Sequence, residues 1–242
     1  MPTTALPGFR DFYPEDLALR THIFETWRRV AGRYGFEEYD GPPLESLDLY
    51  TQKSGEEIVG QLYEFTDKGD RRVALRPEMT PTLARMVAAR ANGLKKPIRW
   101  FSIPQLFRYE RQQRGRLREH FQLNCDLIGD STPLADAEII ALAIDVMRAF
   151  GLTASDVQVR ISDRRLLSAI LLNAGLSAEG IPAALQVIDK SERMDSTEQA
   201  RRLGEGGLNK AQVNALLDAA GIRGVTALRA KLSSFSGGQE SG

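Results

Sequence analysis

A cluster of arginines is the chemically most distinctive part of this sequence. Residues 108–118 contain five arginines and one glutamate, a net charge of +4 in a chain whose total formal charge is zero. These residues are Arg108, Arg111, Arg114, Arg116, Arg118 and Glu110. A guanidinium group is planar, permanently charged and able to bind two phosphate oxygens at once. The cluster therefore indicates a site for phosphate groups.

The residues on either side predict how these arginines are held. Residues 121–127 alternate between apolar and polar types, which is typical of a strand with one buried face. Residues 107–110 alternate in the same way, so we predict a hairpin that turns near Gly115. Its polar face would carry Arg108, Glu110, Gln122, Asn124 and Asp126.

This polar face predicts a ligand. Arg108 on a strand, with Arg114, Arg116 and Arg118 on the turn, would hold a polyphosphate at two points. The carboxylate of Asp126 would suit an ammonium group. The pattern favours a site for a nucleotide and an amine-bearing small molecule. A solvated charged hairpin and a nucleic-acid-binding loop remain open on composition alone.

The composition is that of a globular protein. The 242 residues are 42% hydrophobic, and 32 basic residues balance 32 acidic ones, so any contact with nucleic acid must be local. The single cysteine, Cys125, excludes an intramolecular disulfide and falls on the apolar side of the alternation, which predicts a buried structural thiol. Two histidines, His22 and His120, argue against a histidine-based metal site. With no apolar run of about 18 residues and no signal peptide, we predict a cytoplasmic protein without a membrane anchor.

The order of patterns predicts an α+β core followed by helices. Helices are predicted after Pro14, Thr80, Thr132 and Asp163, from proline or capping residues at their starts. Strands are predicted at 36–45, 98–107 and 157–161, and a hairpin that turns at 67–70 is predicted at 61–77. We therefore predict a core at 1–175, a helical segment at 176–232 and a disordered tail at 233–242. Glu78, just ahead of a helix N-terminus, is favoured there electrostatically, and a ligand role stays open beside that structural explanation.

Several segments, taken in order, resemble those of a known family. The stretch Phe107–Gly129 resembles motif 2 of class II aminoacyl-tRNA synthetases, and in particular that of histidyl-tRNA synthetases. Gly8–Pro14 resembles the N-terminal arm, Pro42–Glu45 resembles motif 1, and Leu75–Thr80 resembles the histidine-binding segment. Two later landmarks lie at 161–167 and 188–190. The resemblance covers residues 5–195.

The resemblance implies a fold, a reaction and a set of roles. It implies an antiparallel sheet flanked by helices, a homodimer formed through motif 1, and activation of histidine by ATP and Mg²⁺ to histidyl-adenylate for transfer to tRNA(His). By position, Arg108 would be the catalytic group at the α-phosphate. The other implied ATP contacts are Glu110 on the adenine side, Arg116 at the γ-phosphate, and either His120 or Phe121 stacking on adenine. The implied histidine contacts are Glu78, Thr80, Gln122 and Asp126, and the implied dimer contacts are Pro42 and Glu45.

The sequence also departs from the family pattern. Position 79 is Met where bacterial relatives often have Gly, and all six tyrosines precede residue 110, so the family's tyrosine-rich second histidine loop has no counterpart. Motif 3 and an anticodon-binding domain have none either. These departures predict the N-terminal part of a synthetase, or a shortened paralogue. One alternative is a histidine-sensing protein that resembles the regulatory subunit of ATP phosphoribosyltransferase, although the intact arginine cluster argues against a sensor. Another is an RNA-binding module that uses residues 111–118.

Overall fold

The computed structural model describes most of the chain. The described residues are 4–52, 55–110, 115–161, 163–173, 176–189, 195–205, 207–220, 222, 224–227 and 229–230. The predicted tail at 233–242, together with Arg111 and Arg114 of the arginine cluster, lies outside them. The chain divides into two compact units, Met1–Val159 and Arg160–Gly242. This division falls earlier than the boundary after residue 175 that the sequence patterns suggest.

The first unit contains five helices and eight strands within its described residues. The helices are α1 (Pro14–Arg33), α2 (Leu47–Thr51), α3 (Glu56–Val59), α4 (Thr80–Arg90) and α5 (Pro133–Ala149). The strands are β1 (Glu37–Glu38), β2 (Leu44–Ser46), β3 (Tyr63–Thr66), β4 (Arg72–Leu75), β5 (Ile98–Ser102), β6 (Gln105–Phe107), β7 (Glu119–Phe121) and β8 (Asn124–Ile128). The mixture confirms the α+β fold class.

One sheet carries the main core. Its strand order is β1-β5-β8, with β1 and β5 parallel and β5 and β8 antiparallel. Phe101 of β5 packs with Val30 of α1 and with Leu142 and Val146 of α5, and all four are buried. Because side chains alternate along a strand, the residues on either side of Phe101 belong to the opposite face of the sheet.

The buried side of this sheet also holds the only cysteine. Cys125 packs against the α1 and α5 core, as the alternation predicts, and burial raises the pKa of its thiol to about 12. Since the thiolate is the reactive form, alkylation by iodoacetamide at pH 8 is expected to be about 100-fold slower or more in the folded chain than in guanidinium. Mass spectrometry of the alkylated chain measures this ratio without interference from a second thiol. Similar rates in the two states would contradict the packing of Cys125 against this core.

A second sheet, with strand order β2-β4-β3, is antiparallel throughout and confirms the hairpin predicted at 61–77. Asp67 closes its turn by accepting hydrogen bonds from the backbone N–H groups of Gly69 (2.8 Å) and Arg71 (3.0 Å). After β4 the chain turns through residues 76–79 into α4. The helix starts at Thr80 and its N-cap is Met79, one residue earlier than a helix capped by Thr80 would start. Glu78 therefore immediately precedes the helix cap.

The predicted arginine hairpin is shorter than the alternation suggests. Only β6 and β7 pair in it, with Leu106 opposite His120. The alternating segment 121–127 is divided at Gln122 and Leu123, and its second half, β8, pairs with β5 instead. The prediction of a single strand over 121–127 is therefore wrong. A period of two gives the face of each residue but does not say which neighbour a strand pairs with.

The second unit is helical in its described residues. Its helices are α6 (Arg164–Asn173), α7 (Ile181–Asp189), α8 (Ser196–Glu205) and α9 (Lys210–Ala220), with a 3-10 turn at Ala178–Gly180. Their core includes Leu171, Leu185, Leu203 and Val213. Asp163 caps α6 as predicted, since its Oδ1 accepts hydrogen bonds from the backbone of the first turn. The strand predicted at 157–161 is wrong: no strand forms there, and Ile161 is 73% exposed.

Candidate functional site

The turn between β4 and α4 is joined to the start of the arginine segment. The backbone N–H of Phe107 donates to the carbonyl of Arg76 (2.9 Å), and the Arg108 Nε donates to the carbonyl of Pro77 (3.0 Å). Arg108 is half-buried there. Two segments that are 31 residues apart in sequence thus meet, and Arg108 lies next to the residue that precedes Glu78.

Arg76 holds this turn in place from inside the protein. It is 4% exposed, and its Nε donates to the carbonyl of Gln105 (3.0 Å). Its Nη1 donates to Oδ1 of Asp40 (2.7 Å) and to the carbonyl of Gly41 (2.7 Å). One guanidinium therefore links β6, the α4 turn and the loop after β1. Arg76 belongs to the segment Leu75–Thr80 that resembles the family's histidine-binding segment, but the sequence alone gave this residue no role.

The remaining described arginines of the cluster make local contacts. Arg116 forms an ion pair with Glu110, with Nε 3.0 Å from Oε2, and the Arg116 side chain is 63% exposed. Arg118 places its guanidinium 4.0 Å from the ring centre of Tyr109. Its backbone N–H donates to the carbonyl of Gly8 (2.9 Å). Arg116 is thus the exposed cation of the pair, and Arg118 connects the hairpin to the N-terminal arm.

The N-terminal arm lies against the other side of the β6–β7 hairpin. Glu119 is 4% exposed and accepts hydrogen bonds from the backbone N–H of Arg10 (2.9 Å) and from the amide of Gln105 (2.6 Å). Gly8 has φ +89°, and a Cβ there would lie 2.7 Å from Cγ of Arg118. Both the backbone angle and the space therefore require glycine at this contact.

His120 and Phe121 point to opposite faces of β7, as neighbours on a strand must. The Phe121 ring packs against Phe24 at 5.2 Å and Phe12 at 6.1 Å, on the side of the arm and α1. His120 lies on the side of Arg108, because its register partner Leu106 is two residues before Arg108 and shares that face of the hairpin. Burial and, after it, the charge of Arg108 lower the pKa of His120. The imidazole is therefore neutral at neutral pH and is the ring of the two that faces Arg108.

Asp126 lies on the face of the main sheet that is turned away from the core. Burial raises the pKa of its carboxyl group. Its register partner on β5 is Trp100, whose ring centre is 5.5 Å from that of Tyr39. Burial and, after it, the charge of Asp126 raise the pKa of Tyr39. Sequence reasoning missed Tyr39, and its only signal was an aromatic residue in a strand-like segment.

The predicted site residues thus fall into groups. Arg108, Glu110, Arg116 and His120 gather at the end of the β6–β7 pair. Asp126 lies on β8, and Gln122 is exposed between β7 and β8. Glu78 and Thr80 line a cavity of about 570 Å³ along α4, with Leu49, Pro81, Ala84, Arg85 and Ala88.

The two residues implied in dimer contacts differ in their surroundings. Pro42 is exposed in the loop before β2. The Glu45 side chain is 10% exposed, and its Oε1 accepts hydrogen bonds from Thr82 (3.2 Å) and Arg85 (2.5 Å). Glu45 is therefore fixed by α4 of its own chain.

The described residues contain neither a cluster of metal-ligating side chains nor a membrane-spanning helix. In that part of the chain, no group of three or more His, Cys, Asp or Glu side chains is placed to hold a metal ion. No helix within it is long and apolar enough to cross a membrane.

The mixed sheet with its α1 and α5 helices, together with the arginine hairpin docked on the α4 turn, is the catalytic-core fold of a class II aminoacyl-tRNA synthetase. The sequence profile of the histidyl-tRNA synthetase family matches residues 8–240. The chain belongs to that family.

Individual relatives agree with this assignment. A histidine–tRNA ligase of Opitutus terrae is 55% identical over 190 residues, which are 78% of this chain and 44% of the relative. The crystal structure of histidyl-tRNA synthetase from Nostoc sp. PCC 7120 superposes with a TM-score of 0.79 at 25% identity, over 98% of this chain and 53% of that one. The chain spans about half the length of the curated relatives it matches.

A further structure shares the fold. It is that of an ATP phosphoribosyltransferase regulatory subunit/histidyl-tRNA synthetase from Bacillus halodurans C, which superposes with a TM-score of 0.73 at 20% identity over 96% of this chain and 63% of that one. At this identity the likeness concerns the fold alone. It does not favour a regulatory role for this chain.

Proposed function

We propose that this chain carries the ATP and histidine sites of a histidine–tRNA ligase and forms histidyl-adenylate. The observation that carries the proposal is the hydrogen bond from Arg108 to the Pro77 carbonyl. It brings the arginine hairpin, suited to phosphate, beside the turn that bears Glu78. The chain belongs to the histidyl-tRNA synthetase family. Adenylate formation needs this arrangement, since the carboxylate of the bound histidine must meet the α-phosphate of ATP.

In this proposal the β6–β7 group binds ATP. Arg108 stabilises the charge that develops when a histidine carboxylate oxygen attacks the α-phosphorus and pyrophosphate leaves. Arg116, whose exposed guanidinium pairs with Glu110 in the ligand-free chain, exchanges that partner for the γ-phosphate. Glu110 lies on the adenine side. His120 stacks on the base, because Phe121 is already packed against the arm and α1. Mg²⁺, which binds nucleotides chiefly through their phosphates, would neutralise charge on the ATP.

The remaining site residues would surround histidine. Asp126 and Glu78 supply carboxylates for the ammonium group, Thr80 contributes a hydroxyl at the start of α4, and Gln122 contributes an amide.

The same proposal includes transfer to tRNA(His), a homodimer that uses Pro42 and Glu45, and a cytoplasmic location. It also includes the division of the chain into a core at 1–175 and a helical segment at 176–232.

Histidine-dependent ATP–pyrophosphate exchange on this chain tests the proposal, with calorimetry of histidine and ATP binding alongside. Exchange with histidine, and none with the other amino acids, is the expected result. Histidine binding without ATP binding or exchange would favour the sensing alternative. Binding of neither ligand would refute the proposed site. Binding of RNA whose affinity falls steeply with salt, without exchange, would point to the RNA-binding alternative.

Replacing Asp126 tests whether its carboxylate binds the ammonium group of histidine. Asp126→Asn is expected to weaken histidine binding about 10-fold or more while ATP affinity stays within about twofold, because a half-buried carboxylate that pairs with an ammonium is lost. Isothermal titration of each ligand measures the two effects. Equal losses for both ligands would contradict the ammonium role.

The same variant carries a pH prediction. Burial raises the pKa of Asp126, so the native state keeps its proton to higher pH than the unfolded chain does. The free energy of unfolding therefore falls as the pH rises through the native pKa. Ligand-free Asp126→Asn is expected to be more stable than the wild type at pH 7, and this advantage should vanish below the ordinary aspartate pKa of about 3.9. Chemical denaturation across this pH range measures the difference.

A further inference from the structure

The β6–β7 hairpin has two faces, and only one of them carries the proposed ATP residues. Leu106 lies opposite His120, and Arg108 follows Leu106 on the same face. The register places four other side chains on the reverse face: Gln105, Phe107, Glu119 and Phe121. The N-terminal arm, Gly8–Pro14, lies against this reverse face. A residue that holds the arm can therefore act on the ATP residues only through the hairpin.

The arm is hydrogen-bonded to the same backbone as Arg108. The backbone N–H of Arg118 donates to the carbonyl of Gly8 (2.9 Å). The carbonyl of Arg118 accepts a hydrogen bond from the backbone N–H of Arg108 (2.9 Å). Arg118 thus connects the arm on one side to the backbone of Arg108 on the other. Any shift of the arm is expected to move both arginines.

Glu119 is the buried charge at this junction. Its side chain is 4% exposed, and its Oε1 accepts a hydrogen bond from the backbone N–H of Arg10 (2.9 Å). Its Oε2 accepts a hydrogen bond from the amide of Gln105 (2.6 Å), and Nε of Arg10 lies 3.6 Å from Oε1. Because a buried carboxylate is costly unless it is hydrogen-bonded or paired, these contacts hold each oxygen in place. One side chain therefore ties the arm to both strands of the hairpin.

The arm is not closely packed on its other side. A cavity of about 570 Å³ lies between it and α1, lined among others by Asp11 and Phe12 of the arm and by Leu19 and Ile23 of the helix. Packing against α1 is therefore incomplete. The hydrogen bonds to Glu119 and Arg118 contribute correspondingly more to the attachment of the arm.

We propose that Glu119 is a positioning residue for ATP binding. It fixes the arm against the reverse face of the hairpin and so sets the backbone of Arg118 and, through it, that of Arg108. The inference rests on the proposed function, because ATP is the ligand of that hairpin. Glu119 itself does not touch ATP, since it points to the face opposite His120. The proposed histidine contacts on α4 and β8 are outside this linkage, so the effect of Glu119 is confined to ATP.

Removal of the Glu119 carboxylate tests this role. Glu119→Ala is expected to weaken ATP binding and raise the KM for ATP about 10-fold, while the affinity and the KM for histidine stay within about twofold. Calorimetry measures the affinities, and pyrophosphate exchange measures the KM values. Glu119→Gln is the conservative variant. Its side-chain oxygen still accepts the Arg10 N–H, and Gln105 can reverse its amide to accept the new N–H₂ group, so ATP affinity should stay within about threefold of the wild type.

Hydrogen exchange of the ligand-free chain reports on the arm without any substrate. In Glu119→Ala the backbone amides of residues 8–12 and 115–121 are expected to exchange about 10-fold faster than in the wild type, because the Arg10 N–H has lost its acceptor. Mass spectrometry of the proteolytic peptides measures this.

Glu138→Ala is the matched control. Glu138 on α5 also accepts two side-chain hydrogen bonds, both from Arg99 of β5 (3.0 and 2.8 Å). Its replacement should lower the melting temperature but leave the exchange of the arm and the ATP affinity as in the wild type.

The outcomes distinguish the positioning role from the proposed function. If the wild type binds ATP and Glu119→Ala binds it equally well, the positioning role is refuted and the proposed function stands. Unchanged exchange of the arm in Glu119→Ala would refute the attachment through this carboxylate. Equal losses of ATP and histidine affinity, without recovery in Glu119→Gln, would show a general structural role instead. If the wild type itself binds no ATP, the proposed function fails and the positioning role fails with it.

Discussion

ATP binding is expected to fall by about 100-fold or more when Arg108 is replaced by alanine. The guanidinium is the half-buried cation beside the Pro77 carbonyl, and a fork that contacts the α-phosphate in a site partly closed to water contributes more than an exposed charge does. Calorimetry with ATP measures the affinity directly. If the wild type supports pyrophosphate exchange, its rate should fall by about 100- to 1,000-fold.

The stability of this variant should change little. One side-chain hydrogen bond is lost, which costs about 0.5–1.5 kcal/mol. Arg148→Ala is the matched control, since this arginine on α5 is 73% exposed and forms an ion pair with Asp145, three residues earlier on the same helix. The control should retain full ATP affinity. Unchanged affinity in Arg108→Ala would refute the phosphate role of the hairpin.

Replacing Arg76 by methionine is expected to lower the free energy of unfolding by about 2–4 kcal/mol. Methionine fills much of the volume, but the carbonyls of Gln105 and Gly41 lose a charged donor in a buried place. Asp40 is 68% exposed and regains water, so its loss adds little. Urea denaturation followed by circular dichroism measures the change.

A functional loss should accompany this destabilisation. Because Arg76 positions the turn that carries Glu78 and the Pro77 carbonyl, histidine and ATP affinities are both expected to fall. Arg71→Met is the control: Arg71 is 78% exposed and pairs with Asp67 in the adjacent turn, so its replacement should change stability by no more than about 0.5 kcal/mol. A similarly small change in Arg76→Met would show that the buried guanidinium does not hold the turn.

Local signals in the sequence were sufficient for most of the helices and for the hairpin at 61–77. The Pro14 start of α1, the Asp163 cap of α6 and the Asp67 turn each depend on neighbours within four residues. Such contacts can be predicted because both partners lie close together in the sequence. The ordered motifs likewise identified the family, because they preserve residue type and spacing.

The pairing of strands that are distant in the sequence could not be predicted from local signals. Alternation placed Asp126 and Cys125 on opposite faces of a strand correctly, yet it joined β7 and β8 into one strand, and it predicted a strand at 157–161 where none forms. Strand pairing depends on which distant segment offers free N–H and C=O groups, and the alternation within one segment does not identify that partner.

The sequence by itself determined the α+β class, the family and the arginines, carboxylates and rings on which the proposed ATP and histidine sites depend. Only the tertiary structure decided which of two adjacent rings faces Arg108, because the packing of Phe121 against α1 leaves that side to His120. Only the structure brought Tyr39 and Ser102 to Asn124 and Asp126. These residues come from β5, β8 and the position that follows β1, and the hydrogen-bonded register is the physical cause of their meeting.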